Sequence, residues 1–475
     1  MNKERRQKRT SAESVEQRPP AEGNPDPIPV TGAPYPEAAW SWRERIRQAA
    51  KRNKDLRFTS LLHHITPELL AEAYDALKRQ AAPGVDGMRW EDYGEGLSDR
   101  LFDLHKQVQD GRYRALPSKR VWIPKADGTK RPLGIPALED KIVQQALVWV
   151  LECIYESDFC GFSYGFRPGR SQHDALDAVS VAITQRKVSW ILDADIMSFF
   201  DTVSHDWMMK FLEHRIADPR VLRLIRKFLR AGVSEDGKLS RAVAGTPQGA
   251  VISPLLANIY LHYALDLWVN WWRKERARGE VYIIRYADDF VIGFQYREDA
   301  ERLRRELQQR LQKFGLILHP EKTRLIEFGR FATQNRRERG KGKPETFNFL
   351  GFTHICSKRR NGGFAVRRFT EAKRLKRTLR RIREELRYRI AVPVADVGAW
   401  LRRVMQGHLN YYAVPGNQKA CRAFRTEVCK AWMFVLRRRS QRRHSINWSR
   451  FNSLVRRWLP SVTVRHPYPN QRLCV

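Results

Sequence analysis

Two apolar, β-rich runs, Val281-Tyr282-Ile283-Ile284-Arg285 and Phe290-Val291-Ile292-Gly293-Phe294, are separated by only Tyr286-Ala287-Asp288-Asp289. Runs of that length and composition read as strands, and so short a connection closes them into a tight hairpin. The tip of the hairpin then carries two adjacent carboxylates. Keeping both ionised between apolar strands costs several kcal/mol unless they share a cation, and a hard divalent ion with oxygen ligands, Mg²⁺ first, suits that role. Taken alone, the pair is equally readable as a solvated turn, because Asp is common in turns.

A further acidic strand end shifts that balance. Trp190-Ile191-Leu192-Asp193-Ala194-Asp195-Ile196 is another apolar run, followed by Phe199-Phe200-Asp201. Asp193 and Asp195 face the same side by strand alternation, so spacing does not choose between them. A strand end and a hairpin tip that each offer a carboxylate can hold two metals about 3.5 to 4 Å apart for in-line phosphoryl transfer.

The order Asp195-Ile196-Met197-Ser198-Phe199-Phe200-Asp201, then Gly245-Thr246-Pro247-Gln248-Gly249, then Tyr286-Ala287-Asp288-Asp289, resembles the reverse transcriptases encoded by bacterial and organellar group II introns, which also act as maturases. The match runs from about residue 55 almost to the C-terminus. It implies an α+β right-hand polymerase, fingers and palm with an antiparallel palm sheet, followed by an α-helical thumb/maturase domain. It also implies RNA-directed DNA polymerisation with two Mg²⁺ ions, Mn²⁺ as a substitute, held by Asp195, Asp288, Asp289 and the Ile196 carbonyl. Phe199 matches the aromatic plate under the nucleotide sugar, Gln248 and Ala287 face the nucleotide, and Ile135 packs near the templating base. Met197 stands where many relatives carry Lys and receives no role.

Composition agrees with a nucleic-acid partner. The 88 Lys and Arg outnumber the 52 Asp and Glu, leaving +36, a charge that repels itself in a compact fold unless a polyanion neutralises it. No run approaches 18 apolar residues, and the best, Ala146 to Ile154, contains Glu152. With no signal-peptide core, the expectation is a cytoplasmic protein with no membrane partner. None of the six cysteines lies within four residues of another, so zinc-finger spacing is missing and nothing suggests a disulfide framework. An HNH-type endonuclease domain, common at the end of such intron proteins, is therefore not expected here.

Taken in order, residues 1–38 are Pro-rich and charged, a disordered tail. Residues 39–185 form the N-terminal extension and fingers. Within them Val121-Trp122-Ile123-Pro124-Lys125 and Lys130-Arg131-Pro132-Leu133-Gly134-Ile135 flank Asp127-Gly128, a favoured hairpin turn. Lys125 and Arg131 project from its arms and, by the family resemblance, grip the triphosphate. Arg167 and Arg170 stand at the entrance of a helix capped by Ser171 and Asp174, placed either for phosphate or for carboxylates of the fold.

Residues 186–355 are the palm. Ser253-Pro254 reads as a helix start, Leu303, Leu307, Leu311 and Phe314 as a helix face stopped by Gly315, and 330–343 as a basic mobile loop. Pro320-Glu321-Lys322-Thr323 and Phe347-Asn348-Phe349-Leu350-Gly351-Phe352 resemble the last two reverse transcriptase blocks, with Lys322 a nucleic-acid contact. Residues 366–440 carry three amphipathic helices with basic exteriors, suited to a duplex backbone, and 441–475 a basic end. His408 reads as a core histidine; Tyr411 and Tyr412, in a maturase-like segment, are placed for base stacking or helix packing.

The expected partners are therefore RNA template and intron RNA, DNA primer or target, and dNTPs, with room for a dimer. Two other readings fit the same residues: a splicing cofactor acting mainly by RNA binding, and a group II-like reverse transcriptase detached from its intron, in a CRISPR or defence system.

Overall fold

The computed structural model describes residues 37–124, 130–235, 238–240, 245–246, 249–359, 361–439 and 446–472. The Pro-rich tail before residue 37, Lys125, the Asp127-Gly128 turn and Gln248 lie outside the described residues.

Eleven strands in three sheets are described: β1 Ser118–Pro124, β2 Lys130–Ile135, β3 Trp190–Asp195, β4 Val233–Glu235, β5 Lys238–Ser240, β6 Val281–Tyr286, β7 Asp289–Phe294, β8 Arg324–Glu327, β9 Phe347–Phe349, β10 Phe352–Lys358 and β11 Phe364–Thr370. The central sheet has order β6-β7-β3-β8, and every neighbouring pair in it is antiparallel. Its alternating side chains split the interior into two cores. Leu192, Ala194, Ile283, Phe290 and Ile292 face helices such as Ser253–Leu261 and Arg297–Gln312. Ile191, Ile284 and Val291 face the helix Gln172–Gln185 and the β9-β10-β11 sheet. A sheet covered on both faces explains why its strands read as continuous apolar runs.

The helix Leu138–Tyr155 packs against helices near the N-terminus, and the capping box of Ser171 with Asp174 starts Gln172–Gln185 as its sequence predicts. Ser253 differs from expectation. It is the first helical residue, Ile252 occupies the cap position without a side-chain bond, and Pro254 follows inside the first turn. The 330–343 segment is not simply a loop, because Ala332–Glu338 is helical and Arg339 pairs with Glu327.

A separate third core joins the helices Ala372–Tyr388, Val394–Tyr412, Gln418–Arg438 and Trp448–Trp458. His408 belongs to it, stacked on Phe424 with ring centroids 3.7 Å apart. Burial depresses its pKa to about 4, so it sits there as neutral imidazole. Among the described residues, no helix is long and apolar enough to cross a membrane.

Candidate active site

The register of the central sheet brings the distant carboxylates together. Asp195 closes β3 directly opposite Asp289, the first residue of β7, and Tyr286 pairs with Asp289 across a two-residue loop, Ala287-Asp288. Asp193 lies two residues back on the same face as Asp195 and Asp289. Four acidic residues thus crowd one end of the sheet. Burial first, then the neighbouring Asp288, Asp195 and Asp193, push the Asp289 carboxyl up to about 7. Burial likewise raises Asp193 to about 6, although Arg324 lies 3.4 Å away, and raises Asp288.

The turn itself is held from the opposite face. Ala287 adopts φ +57°, a left-handed conformation that costs a non-glycine residue about 1 kcal/mol or more and persists only where surroundings enforce it. Arg285 enforces it. This wholly buried guanidinium donates to the Ala287 carbonyl (2.9 Å), to Asn258 Oδ1 (3.1 Å), to Ser163 Oγ (2.7 Å) and to both oxygens of Asp266 (2.8 and 2.5 Å). All five of its N–H donors are used. Asp266 reaches it from a π-helical turn, His262–Asp266, one of the local distortions that often mark functional regions. Asn258 also donates to the Gly165 carbonyl (2.7 Å). A Cβ on Gly165 would stand 2.4 Å from the Ala287 nitrogen, so only glycine lets this segment lie against the turn.

Two glycines of the Gly-Thr-Pro-Gln-Gly motif make close backbone contacts. Gly245 lies on the backbone of Phe200 and Asp201, where a Cβ would meet the Phe200 carbonyl at 2.8 Å. Gly249 lies on β2, where a Cβ would meet the Gly134 carbonyl at 2.5 Å. Thr246, next to Gly245, donates its N–H to the Phe200 carbonyl (2.8 Å). On the β1–β2 hairpin Arg131 is exposed and Ile135 half-buried at the end of β2.

An all-oxygen donor set under like-charge stress fits a hard divalent ion. Ile196 adds a backbone oxygen. The bonds from Met197 N to Ile317 O and from His319 N to Asp195 O flank the Ile196–Leu318 bridge, so the Ile196 carbonyl is not spent on that strand. The side chains do not, however, close into a cage as they stand. Among the described residues, no three His, Cys, Asp or Glu side chains are gathered tightly enough to hold a metal. Asp195 is instead tied to the Lys322 ammonium, 2.7 Å from its Oδ2. A cation at this spot would compete with that ammonium.

Residues 123–354 match the family model for reverse transcriptase (RNA-dependent DNA polymerase). Protein YkfC of Escherichia coli is 38% identical over 319 residues, covering 60% of this chain and 83% of that protein. Group II intron-encoded protein LtrA of Lactococcus lactis is 36% identical over 222 residues, 46% of this chain and 37% of LtrA. Nuclear intron maturase 4 of Arabidopsis thaliana is 26% identical over 46% of the chain, which spans only 26% of that relative. The chain belongs to the group II intron reverse transcriptase/maturase family. It is an RNA-directed DNA polymerase.

Several residues of this reverse transcriptase sit differently from expectation. Phe199 is in the core, edge-on to Tyr260, while Phe200 is half-buried beside Gly245, because the short helix Phe199–Thr202 turns its first residue inward. Arg167 faces no open surface. Its guanidinium is held by Glu156 and the carbonyls of Cys160 and Ser163, the carboxylate alternative of the sequence reading. Arg170 is partly buried on the Gly161 carbonyl (2.5 Å). Tyr411 donates to the Leu350 carbonyl and packs on Phe352, and Tyr412 lies between Phe352 and His408, so both join the helical region to β9 and β10. Ala287 is buried and shapes the turn. Sequence reasoning missed Arg285, Asp266, Asn258 and Gly165. Arg285, a charge inside an otherwise apolar strand, was the one available signal.

Proposed function

We propose that this protein copies RNA into DNA at the β3–β7 carboxylate cluster, with Asp195, Asp288 and Asp289 holding two Mg²⁺ ions and the Ile196 carbonyl assisting. The reading rests above all on the register that sets Asp195 opposite Asp289 with Asp288 in the intervening turn. Metal bound there would lower the pKa of the primer 3′-hydroxyl and neutralise the departing pyrophosphate. The chain's own residues do the rest. Arg285 and Gly165 fix the turn so that Asp288 and Asp289 keep one geometry during turnover. Lys322 holds Asp195 in place while no cation does. Arg131 faces the triphosphate from β2, Lys125 supplies a second cation to it, and Ile135 backs the templating base. Gln248, from the Gly-Thr-Pro-Gln-Gly motif, reads the nucleotide sugar. Phe200 takes the place first assigned to Phe199, under the sugar ring, where bulk clashes with a 2′-hydroxyl. The test is primer extension on an RNA template with Mg²⁺; Asp288→Asn must abolish incorporation, and retained incorporation would remove the assignment.

A maturase role in splicing its own intron RNA, and in intron mobility, is the companion reading. It is supported by the helix Ala372–Tyr388, which exposes Lys373, Lys376, Arg377, Arg380, Arg381 and Arg387 around its buried stripe. Phosphate backbone is the natural ligand of such a face. Tight binding of a folded group II intron over an unstructured RNA of equal length supports it, and equal binding counts against it.

A further inference from the structure

A second strongly charged surface lies at the opposite end of the central sheet. Asp195 and Trp190 are five residues apart along β3, about 17 Å at the usual strand rise. At the Trp190 end, the helix Gln172–Gln185 finishes at Thr184 and Gln185, and Arg330 donates to the Thr184 carbonyl (3.2 Å). Two adjoining clefts of about 580 and 630 Å³ open there, sharing Thr184, Arg359 and Asn470. Their walls are the β10–β11 hairpin, that helix end and the C-terminal segment.

The described lining of both clefts contains five basic residues, Arg330, Lys358, Arg359, Arg367 and Arg368, and no Asp or Glu. The nearest carboxylates are already engaged. Asp177 is paired with Arg368 (2.7 Å) and Arg472 (3.4 Å), Asp174 with Arg472 (3.1 Å), and Glu327 with Arg339. Lys358, Arg359 and Arg367 are exposed, and their side chains make no ion pair with any described residue. Around the clefts Arg339, Arg368 and Arg472 are matched to carboxylates, whereas these three neighbouring cations are left for an outside anion. The remaining lining suits a nucleotide chain. Asn361, Asn470 and Gln471 offer amide donors and acceptors that can meet a 2′-hydroxyl, and Tyr468, 64% exposed, stands at the rim as a flat surface for a base.

We infer that this cleft binds a single-stranded segment of RNA through its phosphodiester backbone, remote from the site of nucleotide addition. It rests on the reading of this chain as an RNA-copying enzyme. A tether here would hold RNA that is not being copied at that moment, such as an unpaired stretch of the same molecule.

The test uses the full-length protein and a fluorescein-labelled single-stranded RNA of forty nucleotides (about 40, long enough to reach both sites). Lys358→Ala/Arg359→Ala/Arg367→Ala should weaken binding at physiological salt by about ten-fold or more and lower the slope of log affinity against log salt by about 2, as expected for three lost phosphate contacts on a single strand. Melting temperature should be unchanged, and so should dNTP incorporation on a short primer–template duplex that cannot reach the cleft. Lys358→Arg/Arg359→Lys/Arg367→Lys should restore the slope. An unchanged affinity and slope in the alanine variant would overturn the proposal. Failure of wild-type protein to extend a primer would instead remove the polymerase reading and leave the salt slope as a separate result.

Discussion

Asp266 and Asp289 lie on opposite faces of one hairpin and show two ways of placing a carboxylate inside a protein. Asp266 is fully buried and met by a bidentate Arg285 whose remaining donors are also used. Burial pushes its carboxyl up, and the guanidinium pulls it back. Asp289 is only half-buried, yet its neighbours are Asp288, Asp195 and Asp193, and its carboxyl is pushed up to about 7. Asp266 has a guanidinium against it, whereas Asp289 makes no ion pair among the described residues. A compensated carboxylate maintains a shape, whereas an uncompensated one is poised for a cation.

The sharpest way to separate the two is to neutralise each. Asp288→Asn or Asp195→Asn should reduce incorporation in a primer-extension assay by about a thousand-fold or more, while the melting temperature measured in chelator holds or rises because like-charge repulsion is relieved. Arg285→Met should do the reverse in kind, leaving Asp266 buried without a partner and costing about 3–5 kcal/mol in denaturant unfolding. Adding Asp266→Leu to it should recover much of that stability. If the double replacement were no more stable than Arg285→Met alone, the pair would not be the compensated unit described here.

Acidity offers a subtler test of the same contrast. Asp289, raised from its ordinary value of 3.8 to about 7, stabilises the fold only while protonated. In chelator, stability should be full below about pH 4 as far as this group is concerned and fall as pH rises through 7, by at most a few kcal/mol. Asp289→Asn should flatten that part of the profile measured by urea unfolding. Smallest of all, Gly165→Ala should cost about 1–3 kcal/mol, since its methyl meets the Ala287 nitrogen, and should lower kcat through the displaced turn with KM for dNTP little changed.

The β6–β7 hairpin was legible in the chain because its strands are buried on both faces and its turn is only two residues long, so composition alone marks it. Asp195 was legible as a strand end, but choosing it over Asp193 took the motif. The Arg285 network was not legible. Its partners lie 122, 27 and 19 positions away at Ser163, Asn258 and Asp266, and nothing local in those residues signals a shared contact. The burial of Phe199 beside a half-exposed Phe200 shows a similar limit. Strand alternation ends at Asp195, and the left-handed Ser198 that follows resets which side faces the core. The C-terminal segment carried no readable chemistry, yet Arg472 reaches back 298 positions to Asp174.

The most direct measurement is the thermal melting of wild type and of Asp288→Asn/Asp289→Asn at pH 8 across a Mg²⁺ titration. Wild type should start less stable in chelator and gain steadily with Mg²⁺, while the double variant starts higher and gains nothing. Parallel responses from the two proteins would contradict the claim that these carboxylates await a metal.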